Sequence, residues 1–227
     1  MTTTRERDDT QPFGPDATQI LATEHWSLLS SRALIWNEAM NRTTLFLSLL
    51  SASIIALALM ADATGFGTSA ITLAMVLLPV VLFLGIATHI RLVRINSEEV
   101  KTLLAMNRLR HAYLEIAPGI EPYITTGHHD DGQGLAASYL LAGAGELRPL
   151  AQYFQATATI VATVDAALAA AIVVLAALAA DAPIAVLIAV GSVVFLIAWG
   201  ALFSFQRHAL DPLRRMTPRF PTPTPET

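Results

Sequence analysis

The chain has 227 residues, 54% of them hydrophobic and 14% charged, a balance with too little polar surface for a water-soluble globular domain. Its formal net charge of −4 comes without a basic domain, which argues against nucleic-acid binding. The absence of cysteine excludes disulfides, thiolate metal sites and cysteine nucleophiles.

In chain order, residues 1–15 are polar, with Arg5 and Arg7 beside Glu6, Asp8 and Asp9 and no signal-peptide-like apolar core behind them, so a disordered, uncleaved N-terminus is expected. Asp16 is placed to cap a helix in which Ala22, Trp26, Leu29, Ala33, Trp36 and Met40 recur at alternating spacings of 4 and 3, the pattern of a packing seam. Two tryptophans and few charges would also suit a helix lying in a membrane interface, the rival reading of this segment. No Gly or Pro separates Asp16 from Ala61, so the helix is expected to run into a first apolar span at 43–61. A second span at 69–90 contains Pro79, which frees a carbonyl one turn earlier and marks a kink or hinge. This helix is expected to continue to 116, its apolar face of Val93, Val100, Leu104 and Leu114 interrupted by Ser97, Asn107 and His111. The extensions 17–42 and 91–116 are equally long and are expected to pair antiparallel as a cytoplasmic stalk, making 16–116 one long helical hairpin.

Pro118 and Pro122 end the stalk, and 117–155 is expected to be a cytoplasmic loop with short helices near 135–141 and 146–155. A second transmembrane hairpin follows at 156–206, from spans at 156–180 and 182–205, with Gly191 and Gly200 as close-packing positions. The tail, 207–227, mixes Arg214, Arg215 and Arg219 with prolines and is expected to be disordered. Each span meets the roughly 20 apolar residues needed to cross about 30 Å of hydrocarbon. Uniform apolarity excludes barrel strands, which alternate, so the fold class is all-α: an integral membrane four-helix protein of two transmembrane hairpins with a cytoplasmic helical stalk. All fourteen Lys and Arg fall in the N-terminal region, the central loop or the tail, and none near Asp62 or at Asp181. The positive-inside rule then places both termini in the cytoplasm of a multi-pass protein of the cell (inner) membrane.

Asp165 is the one ionisable residue deep inside a span. Ala158, Ala162, Asp165, Ala169, Ile172 and Ala176 share a small-residue stripe, so Asp165 is expected to face protein. Two roles fit a costly intramembrane carboxyl: a proton or cation pathway, or helix glue hydrogen-bonded to Ser48, Ser51 or Thr163. His89 is expected nearer the cytoplasmic rim. The densest polar cluster, His128, His129, Asp130 and Asp131, with His111 and Glu115 at i,i+4, offers ligand types that zinc accepts but no diagnostic spacing, so a solvated or stalk-capping network is expected and no metal or other cofactor is assigned. No P-loop, GxGxxG, GxSxG or carboxylate pair is present, and Ala-Met-Asn-Arg at 39–42 and 105–108 is read as a chance repeat.

The run from Met106 to Tyr113, with Pro122-Tyr123 and His128 to Asp131, resembles segments of bacterial multi-pass membrane proteins of unassigned function, and all but one of the fourteen basic residues being Arg fits a GC-rich bacterial genome. In outline, a membrane hairpin with cytoplasmic helices is similar to SLATT-type effectors of bacterial conflict systems, a resemblance that implies a pore. The expected function is a non-enzymatic membrane component, homo-oligomeric, assembling or signalling through its cytoplasmic helices with a protein partner. The alternative is a small cation or proton channel or transporter using Asp165.

Overall fold

Six α-helices and one 3-10 turn make up the computed structural model, with no strand among the described residues, which are 13, 14, 16–65, 67–139 and 148–223. The expectations for 1–12, 140–147 and 224–227 fall outside them. Helix α1 (Ala17–Thr64) has no interior Gly or Pro and stops where Gly65 turns left-handed, φ 64°. Helix α2 (Thr68–Ile116) carries Pro79 without interruption and ends before Pro118, which holds Ala117 out of helical geometry. The turn Pro118–Tyr123 leads to α3 (Gly132–Ser138), whose first turn is capped by the Asp131 carboxylate accepting from Gly134 N at 2.8 Å. Helix α4 (Arg148–Ala179) runs straight through the expected boundary at 155/156; nothing after Pro149 can break it.

Helix α4 ends in a Schellman arrangement: Asp181 adopts φ 54°, Ala182 N donates to Ala177 O and Asp181 N to Leu178 O. Pro183 then starts α5 (Ile184–Ala209), followed by α6 (Asp211–Arg214). Four helices are long and apolar enough to cross a membrane: α1, α2, residues 157–179 of α4, and α5.

The chain divides into two units, 1–34 with 99–150 and 216–227, and 35–98 with 151–215. In the first, the start of α1 lies antiparallel to the end of α2. Tyr113 donates to Leu21 O at 3.0 Å and stacks on His25, and Arg32 meets Glu99 at 3.1 Å. Leu21, His25 and Arg32 therefore lie on the paired stripe, with half-buried Leu28 at the same spacing, and on α2 Val100, Leu103, Leu104 and Met106 are buried. The expected seam, Ala22, Trp26, Leu29, Ala33, Trp36 and Met40, begins one residue on, about 100° around the helix. Trp26, Leu29, Ala33 and Trp36 are exposed, Trp26 at 68%, whereas Ala22 is half-buried and Met40 packs on the core of the second unit.

In the second unit, Phe46 of α1, Ala74, Leu78, Val81, Leu92 and Val93 of α2, and Ala158, Val161 and Leu168 of α4 form the core. Lipid tails are as apolar as Leu, so the contact depends on close approach, and small residues line it. Helix α5 joins through few groups. Its buried Gln206 donates to Thr159 Oγ1, Trp199 donates to Thr163 Oγ1, and Gly191 fits against Val174. Gly200 has open space around it, so of the two expected close-packing glycines only Gly191 is one.

Candidate functional site

Asp165 is 1% exposed. A Cβ at Gly85 would collide with its Oδ1, lie 2.8 Å from its Cγ and 2.8 Å from Phe46 Cε2, so the missing side chain of Gly85 is the space the carboxyl occupies. Neither carboxylate oxygen has a hydrogen-bond partner among the described residues. The expected glue contacts are not made. Ser48 and Ser51 are exposed on α1, because Phe46, Leu50, Ser53 and Leu57 define its inward face. Thr163 lies two residues, about 200°, around α4 from Asp165 and donates to Thr159 O instead.

His89 is fully buried. Its Nδ1 lies 3.0 Å from Ala158 O and its Nε2 3.4 Å from Leu202 O, so the ring of α2 sits between carbonyls of α4 and α5, donating to one of them when neutral and to both when protonated. The apolar run around it conceals this role; only a ring capable of donating from either nitrogen signals it.

Beyond the apolar spans, Arg91 forms a two-pronged pair with Glu38, Nε–Oε1 and Nη2–Oε2 both 2.8 Å, and reaches Glu98 at 3.0 Å, while Arg42 meets Glu38 at 2.9 Å. Bonding from Arg91, then Arg42, holds the Glu38 carboxyl down at about 2, against a modest push upward from burial.

In the first unit the Asp130–Asp131 pair is occupied by the chain's own C-terminal segment. Asp130 accepts from Arg219 N at 3.0 Å, Phe220 N at 2.7 Å and Arg108 Nε at 2.6 Å, and its own N–H donates to Phe220 O. Asp131 accepts from Thr222 N at 2.7 Å and Thr222 Oγ1 at 3.0 Å besides Gly134 N. Burial pushes the Asp130 carboxyl up, but the amides of Arg219 and Phe220, with Arg108, outweigh it and hold it below the aspartate range. Burial acts likewise on Asp131, and the amides of Gly134 and Thr222 outweigh it there. The Phe220 ring stacks on His111, centroids 4.2 Å apart. Residues 207–223 are therefore not the disordered tail expected: 207–209 complete α5, 211–214 form α6, and across 218–223 the prolines exclude a helix but not an extended segment caught on carboxylates.

Of the weak metal candidates, His128 and His129 lie ring to ring, centroids 4.2 Å apart, and His111 Nε2 is 3.7 Å from Glu115 Oε1. Burial, then the neighbouring His129, holds the His128 imidazole below the usual histidine range, with Glu121 opposing. Asp130 and Asp131 turn toward the tail, and among the described residues no three His, Asp or Glu groups converge on a metal-holding point. Buried Asn107 is the hub the sequence did not reveal. Its Nδ2 donates to His129 O, and its Oδ1 accepts from Arg110 Nη1 and Ser138 Oγ.

Together these features describe an all-helical chain with four apolar helices of membrane-crossing length. No known protein family, curated protein or solved structure matches it.

Proposed function

We propose that the chain is a non-enzymatic integral protein of the bacterial cell membrane that assembles as a homo-oligomer and signals through helices held on the cytoplasmic side. The observation that carries this is the stripe of Trp26, Leu29 and Ala33: it keeps the 4 and 3 spacing of a packing seam, yet the helix pairing within one chain uses the neighbouring stripe and leaves it exposed. A second copy supplies the same stripe and covers it self-complementarily. Mass measurement of the full chain in nanodiscs tests this. The wild type is expected to be oligomeric and Trp26→Glu to shift it toward monomer with unchanged helix content; a monomeric wild type, or an oligomer indifferent to the substitution, overturns the reading.

A second reading rests on Asp165. An intramembrane carboxyl costs about 3 kcal/mol on insertion scales. No hydrogen bond from the described residues offsets that here, whereas a proton or cation can. It makes the chain a small cation or proton pathway, the role that the SLATT-like outline implies. In liposome flux assays, a current abolished by Asp165→Asn replaces the first reading with this one, and an unaffected or absent current removes it.

A further inference from the structure

The segment Pro218-Arg219-Phe220-Pro221-Thr222-Pro223 has three backbone N–H groups, at 219, 220 and 222, because proline has none. All three end on carboxylate oxygens of Asp130 or Asp131. Recognition through main-chain amides, with one ring on His111 for the single aromatic side chain, is how a protein reads an extended peptide. The prolines fix the backbone in advance, which lowers the cost of ordering it. At the same time no residue from 216 to 223 is buried, so apolar packing does not anchor the segment. The Asp pair is itself held from behind, Asp130 by Arg108 and Asp131 as the cap of α3, so the cradle does not depend on the tail for its position.

We propose that Asp130, Asp131 and His111 form a peptide-binding site for extended, proline-spaced segments containing an aromatic residue, and that residues 219–222 of the same chain are its resident, exchangeable ligand. The tail is thus a strap: docked, it fills the cradle; released, it leaves the site to a segment of the same pattern.

The test uses full-length protein in nanodiscs and a fluorescent synthetic peptide of residues 216–227. In the wild type, hydrogen exchange at the amides of Arg219, Phe220 and Thr222 is expected to be slower than in the free peptide but faster than at Leu103 of α2. Phe220→Ala removes the ring from His111 and so weakens the resident segment without altering the cradle, and the peptide is expected to bind that variant at least about tenfold tighter than wild type. Adding Asp131→Asn is expected to remove the gain. Should that double variant lose helix content, a peptide carrying Ala in place of Phe220 serves instead, and is expected to bind the Phe220→Ala chain about tenfold more weakly than the unaltered peptide. Tail amides as protected as Leu103, tail amides as open as the free peptide, or a peptide that ignores the Phe220→Ala chain would each overturn the proposal. Protection that vanishes when oligomers are diluted to monomers overturns the intramolecular assignment as well.

Discussion

Asn107 shows how one amide can organise a polar unit. Fully buried on α2, it satisfies three partners on three segments: His129 O of the loop, Arg110 one turn along its own helix, and Ser138 of α3. Removing the amide leaves the His129 carbonyl without this donor and strips the half-buried Arg110 guanidinium of its shortest hydrogen bond. Asn107→Ala is therefore expected to cost about 1–3 kcal/mol, the range for orphaning buried polar groups. It should speed hydrogen exchange across 127–138; unchanged exchange there would show that the loop is held by other contacts. From sequence alone Asn107 is only a gap in an apolar face, because its value lies in partners brought near by folding. Asp165 is legible in one respect and not in another. Its small-residue stripe points it at protein, but that it would meet Gly85 and Phe46 and, among the described residues, no hydrogen-bond donor depends on how three helices approach one another.

At the scale of elements, length and continuity are legible wherever they depend on what the backbone forbids. The unbroken helices α1 and α2 follow from the positions of Gly and Pro, and α4 is longer than expected for the same reason. Facing direction is less legible. Apolarity marks a stripe that avoids water, and on α1 the stripe that pairs contains His25 and Arg32, made acceptable by Tyr113 and Glu99 of α2. The more apolar stripe one residue on is left free, and its occupant is not written in this element.

The α1–α2 pair also carries a pH dependence. Glu38 has a folded value of about 2 against an ordinary 4.5, so its contribution is fully present above pH 4.5 and is lost as pH falls toward 2. Glu38→Gln is expected to lower the thermal midpoint at pH 7 by on the order of a few degrees and to flatten the acid side of the stability profile. A variant as acid-sensitive as the wild type between pH 4.5 and 2 would show that other carboxylates govern that limb.

At the scale of the whole molecule, the apolar spans are the most legible feature, because hydrocarbon imposes a length and forbids unpaired backbone, and a sequence has few ways to meet both demands. Sidedness is a separate matter, set by where charge cannot go. Carrying one Lys or Arg to the centre of a spanning helix costs about 2.5–3.5 kcal/mol on insertion scales, and this chain keeps all fourteen away from the two short connections, near Asp62 and at Asp181. Four crossings return the chain to the side on which it began, so the two connections should share one side and the polar segments the other. The chain contains no cysteine, and a thiol introduced at any one position is then the only one that a maleimide can find. Asp62→Cys and Asp181→Cys are expected to react with a membrane-impermeant maleimide applied to intact cells, whereas Lys101→Cys and Thr217→Cys, both at exposed positions, react only once the membrane is opened. The reverse pattern would invert the orientation while keeping the spans. Labelling of Asp62→Cys and Asp181→Cys from different sides would mean an odd number of crossings between them, which no pairing of α2 and α4 as two full spans allows.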